Sequence, residues 1–251
     1  MAIFKSGNPA LSEKALQTSL DATGQGVMTD RGTLNKFFFL SLMVMASASF
    51  TWSAVAQGKD VMLWMIGGAI GGLIIAFVII FKKEWAGYLT PAYGLLEGVF
   101  LGGISALVNA AFAKSYPGIV TQAVVLTFGT VIAMFVLYRF RIIRATEKFK
   151  AVVVTATMGI AIFYGLAMIL RMFHIDIPFL HEGSAMGIVF SLVVVAIAAL
   201  NLILDFDMIE KGVAMGAPKY MEWYCAFGLL VTIVWLYLEI LKLLMKLADR
   251  R

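Results

Sequence analysis

The chain has 251 residues, 61% of them hydrophobic and only 14% charged, against about 45–50% and 25% in an ordinary soluble domain. Too few charged side chains exist to cover a water-soluble surface of this size, so lipid is part of the solvent. The net charge of +5 sits in short basic blocks between apolar stretches, the pattern that orients membrane proteins and excludes nucleic acid as the partner. Cys225 is a single cysteine and has no partner for an intramolecular disulfide.

Residues 1–33 are polar, with Gly, Ser, Thr and Asp throughout, and contain no apolar run of signal-peptide length. They read as a cytoplasmic tail, and 34–251 as one transmembrane domain. Seven apolar stretches follow, near 36–56, 61–81, 88–113, 118–138, 150–171, 184–207 and 223–247. Each is close to the roughly 20 residues with which a helix crosses about 30 Å of hydrocarbon. Continuous apolar runs of this length exclude strands, and in lipid a helix satisfies its own backbone hydrogen bonds. The fold class is therefore an all-α integral membrane protein with seven transmembrane helices.

Placing the N-terminus inside puts thirteen Lys and Arg on the cytoplasmic side and seven on the other, which predicts a multi-pass membrane protein with its N-terminus cytoplasmic. Lys242, Lys246, Arg250 and Arg251 are the exception. A re-entrant last segment would remove it, and a spanning one is the expectation. Gly94, Gly98, Gly102, Ala106 and Ala110 recur every four residues along the third span, and Gly67/Gly71 and Gly68/Gly72 repeat the spacing in the second. Such stripes let helix backbones approach closely, here within one bundle rather than at a dimer seam.

Four carboxylates lie within apolar segments, Glu97, Asp205, Asp207 and Glu239, where an unpaired charge costs at least about 2.5–3.5 kcal/mol. Glu97 is flanked by the glycine stripe and is expected to point into the bundle, as an ion-pathway residue or as a protonated acid bonded to a neighbouring helix. Asp205 and Asp207 point about 200° apart on a helix and so serve different purposes. Asn201 shares a face with Asp205 and offers it a local polar partner. Glu239 is three residues before Lys242, close enough for an intrahelical ion pair. If instead Asp207 and Glu239 meet across the last two spans, they share a proton and respond to pH. Their oxygens would then suit a hard cation such as calcium.

His174, Asp176, His181 and Glu182 share one loop, but their spacing fits no compact metal-ligand set and reads as a solvated loop. GGAIGG lacks the Lys-Ser/Thr ending of a phosphate loop. No nucleophile triad, HExxH zinc helix or haem site is present. No enzymatic activity is expected, and no cofactor beyond a calcium ion.

ILDFDMIEKG at the end of the sixth span, followed by WLYLEILKLL in the seventh, resembles the paired signature of the transmembrane Bax inhibitor motif family. The opening SGNPAL is similar to its bacterial branch, which implies the inner (plasma) membrane as its location. The resemblance implies a seven-helix bundle with the last helix central. It also implies an acid pair from the sixth and seventh helices, here Asp207 and Glu239, that senses pH and gates a calcium leak. Glu stands where the family usually has Asp. The family's basic latch on the first acid corresponds to Lys82 or Lys83, where Arg is usual; Lys makes no bidentate bond. The function expected is thus a pH-sensitive passive cation leak. The alternative is a membrane-embedded regulator whose polar tail engages a membrane protease or another membrane protein.

Overall fold

A computed structural model describes residues 26–173 and 184–250. The loop carrying His174, Asp176, His181 and Glu182 lies outside the described residues. Among those described there are seven long helices and no strand: α1 Asp30–Ala56, α2 Met62–Phe81, α3 Ala86–Ala111, α4 Ile119–Arg139, α5 Glu147–Met172, α6 Ala185–Ala214 and α7 Met221–Ala248. All seven segments are long and apolar enough to cross a membrane. A single 3₁₀ turn, Lys83–Trp85, leads into α3.

Helix starts follow local chemistry. Thr29, Thr146 and Ser184 cap α1, α5 and α6, each hydroxyl accepting the backbone N–H three residues on, which satisfies one of the four orphan donors of a helix start. Capping by Thr29 begins α1 at Asp30, four residues before the boundary expected from polarity. Met28 and Thr33 are buried, so the end of the polar segment belongs to the folded bundle.

The chain alternates direction at each connection. One end of the bundle therefore carries the starts of α1, α3, α5 and α7, called here the near end, and the other is the far end. α1 and α3 run parallel, in contact through the glycine stripe. A Cβ on Gly98 would lie 2.9 Å from the Cα of Val44, and one on Gly102 would lie 2.6 Å from the Cα of Ala48. No side chain fits between the two backbones there. On the opposite flank of α3, a Cβ on Gly68 would lie 2.7 Å from the Leu96 carbonyl oxygen. Gly98 and Gly102 thus line one seam inside the chain and Gly68, Gly71 and Gly72 another, while Gly67 faces open space.

α7 packs against α6, α1, α4 and α3 and has more buried residues than any other helix. Its central place is also marked by Tyr237, whose hydroxyl bonds that of Ser105 on α3 at 2.6 Å. α5 is the opposite case. Val153 alone is buried on it, and Val152, Met158, Ile162 and Met168 are exposed, as expected of side chains in contact with lipid.

Candidate functional site

The acids at the end of α6 take different directions, as their spacing requires. Asp205 faces α7, where its neighbour is Thr232. Its Oδ2 atom is buried and has no hydrogen-bond partner among the described residues. Asp207 turns away towards the start of α5. There it forms ion pairs with Lys150 at 3.1 Å and with Lys211, one turn further along α6, at 2.8 Å.

Glu239 is 1% exposed. Its carboxylate accepts the Lys242 ammonium at 2.9 Å and the Tyr164 hydroxyl of α5 at 3.1 Å, and Lys242 also lies over the Tyr164 ring. The local ion pair with Lys242 is therefore formed, and Tyr164 extends it to α5.

Asp207 and Glu239 do not meet. With Asp205 opposite Thr232, residue 207 is level with about residue 230, and Glu239 lies roughly 14 Å further along α7. The expected acid pair, and the calcium site drawn from it, are corrected accordingly. The two carboxylates belong to separate ion-pair clusters, one towards the near end and one towards the far end. The physical reason is register: the turn between α6 and α7 is short, and α7 starts at Met221. No interfacial run delays its entry and brings Glu239 back to the level of Asp207. Among the described residues no group of three or more His, Cys, Asp or Glu converges as a metal site.

The latch is also reassigned. Lys83 lies over the Tyr224 ring at 5.1 Å, and neither Lys82 nor Lys83 pairs with Asp207 among the described residues. Lys150 and Lys211 pair with Asp207 instead.

Glu97 lies in the α2–α3 seam. Its neighbour one turn before it is Tyr93, and its Oε2 is 3.2 Å from where a Cβ on Gly72 would be, so that glycine makes room for the carboxyl. Asn201 is instead in the α5–α6 seam, donating to Thr157 Oγ1 at 2.8 Å and to the Ile197 carbonyl at 2.9 Å. The two form no common polar route. Asn201 is committed to α5 and to its own helix and does not serve Asp205.

A cluster at the near end was not anticipated from sequence. Glu222, in the first turn of α7, is fully buried. It accepts the Thr29 backbone N–H and hydroxyl at 2.9 Å each, and pairs with Lys219 at 2.8 Å and with Lys36. Gly32 leaves the space its carboxylate fills, since any Cβ there would collide with it. Just before α1, Met28 donates to the Ala217 carbonyl at 2.8 Å, and Val27 bridges Pro218. The chain entering α1 is thereby bound to the α6–α7 turn. Only Lys219, three residues before Glu222, was a local signal; Thr29 and Lys36 come from the other end of the chain. Near this cluster Glu210 of α6 bonds Tyr138 and Arg141, which ties the α4 end to α6.

A family model described as Bax inhibitor 1 like matches residues 8–249. The chain belongs to that family. No curated protein and no solved structure matches it.

Proposed function

We propose that this Bax inhibitor 1 like membrane protein is a passive cation leak, with calcium as its ion, in which Asp205 exchanges a proton for the cation. The observation that carries the reading is the buried Asp205 Oδ2 between α6 and α7, which has no donor among the described residues. A carboxyl group so placed is neutralised by a proton or by a cation; the bare ion is the costly state. Protonated, it lets α6 and α7 close on each other. Ionised, it draws a hard, oxygen-seeking cation into the seam. Asp207 is the tether of this arrangement: Lys150 and Lys211 hold it and join the near end of α6 to α5.

The test is calcium flux into proteoliposomes at a series of pH values. Wild-type leak rises with pH, and Asp205→Asn removes that dependence while the protein stays folded. Asp207→Asn and Glu239→Gln change the level of leak independently, and their effects add, because they sit in separate clusters. A pH dependence that survives in Asp205→Asn refutes the assignment, and strong coupling between Asp207 and Glu239 refutes their separation.

A second reading, a regulator that engages a membrane protease or other membrane protein, is favoured by one observation. Val27 bridges Pro218, which places the entry of the polar tail beside the α6–α7 turn. Deleting residues 1–25 separates the two: leak survives the deletion, whereas a regulator loses its partner.

A further inference from the structure

The far end of the bundle holds a cavity of about 300 Å³ between α5, α6 and α7. Arg171, Lys242 and Lys246 line it together with Asp249, and of the three cations Lys242 is already paired with Glu239. Lys246 is 6% exposed and has no carboxylate in ion-pair contact among the described residues. Its ammonium donates to the Gly187 carbonyl at 3.1 Å and to Ser191 Oγ at 2.9 Å. An ammonium has three protons, so one is left after these two bonds. Ser191 accepts from Lys246 and keeps its own hydroxyl proton for a further acceptor. Glu239 acts on Lys246 only through space, being engaged by Lys242 and Tyr164, so a buried ammonium whose direct contacts are neutral favours a further anion.

Depth sets the kind of anion. α7 has 28 residues, about 42 Å, which exceeds the roughly 30 Å of hydrocarbon by about four residues at each end. Lys246 therefore sits at headgroup level, whereas Lys242, one turn deeper, turns its ammonium to Glu239. Met168 and Met245 supply apolar wall beside the cations, where the first carbons of an acyl or glycerol chain would lie.

We propose that this cavity binds a phosphate-bearing anion, with Lys246 and Ser191 as its buried donors and Arg171 as its outer cation. Both a phospholipid headgroup and free phosphate offer that chemistry, and the apolar wall favours the lipid. The site is independent of Asp205, which lies in the near half of the α6–α7 seam.

The experiment titrates the full-length protein in neutral detergent micelles with phosphatidylglycerol, with phosphatidylcholine and with inorganic phosphate, and reads binding from thermal stability and from lipid retained in native mass spectrometry. Phosphatidylglycerol raises the melting temperature, and Arg171→Gln weakens its binding about tenfold, the loss of one charge-assisted contact. Lys246→Met weakens it further. Arg171 is exposed, so its variant tests the site even if Lys246→Met fails to fold. Stabilisation by phosphatidylglycerol alone assigns a lipid, and stabilisation by inorganic phosphate as well assigns a phosphate subsite open to both sources. Equal stabilisation by phosphatidylcholine, no response to any anion, or an unaltered affinity in Arg171→Gln overturns the proposal.

Discussion

Gly102→Ala tests whether the four-residue stripe buries a seam within the chain. The added methyl carbon would lie 2.6 Å from the Cα of Ala48, whereas carbon atoms in contact settle at about 3.5–4.0 Å. Helix α1 must therefore retreat by roughly 1 Å at this level. One turn away a Cβ on Gly98 would likewise lie 2.9 Å from the Val44 Cα, so the two backbones stay equally close there. Overpacking of this kind costs about 1–3 kcal/mol. Replacing a helical Gly by Ala returns about 0.8–1.0 kcal/mol of propensity, so the net loss is about 0–2 kcal/mol. Gly67→Ala is the matched control, because nothing lies within 4 Å of a Cβ there and only the propensity gain remains. The two variants should differ by the overpacking cost, about 1–3 kcal/mol, read as reversible unfolding in mixed micelles followed by circular dichroism. Equal stabilisation by both alanines would refute the packing of α1 on α3. Loss of a dimer in Gly102→Ala with unchanged monomer stability would instead place the stripe between chains.

Two further outcomes follow from the ion-pair clusters and the helix order. Glu222→Gln removes the charge that holds Lys36 and Lys219, so tryptic cleavage at Arg31 should accelerate; an unchanged rate would show that the cluster does not hold the start of α1. Its stability loss should fall below the roughly 3–5 kcal/mol of a broken buried pair, because Lys219 is 45% exposed and Gln retains an acceptor. In a Cys225→Ala background, Ile142→Cys in the α4–α5 turn should react with a membrane-impermeant thiol reagent only from the cytoplasmic side, and labelling only from outside would invert the orientation.

Much of the architecture was legible before any coordinates, because the bilayer imposes one rule on each segment separately. A stretch of about 20 apolar residues must be a helix whatever surrounds it, and the small-residue periodicity of the second and third spans marks the seams without naming the partner helix. Opposed directions for Asp205 and Asp207 are likewise a property of a single helix. Partnership across helices is not. Asp207 and Glu239 looked like a pair because each is a carboxylate in an apolar segment, but their separation depends on how α6 and α7 slide past each other. The short turn before Met221 sets that register. Glu222 was passed over because it begins a helix, where acids are unremarkable, and its burial arises only when Thr29 and Lys36 arrive from the opposite end of the chain. In the sequence Lys246 is one of four basic residues on the less basic side, and only α6 brings the Gly187 carbonyl and Ser191 against it. The membrane thus dictates the elements from local composition, while the pairing of buried charges is decided by packing, because each charge must find its partner among groups remote in sequence.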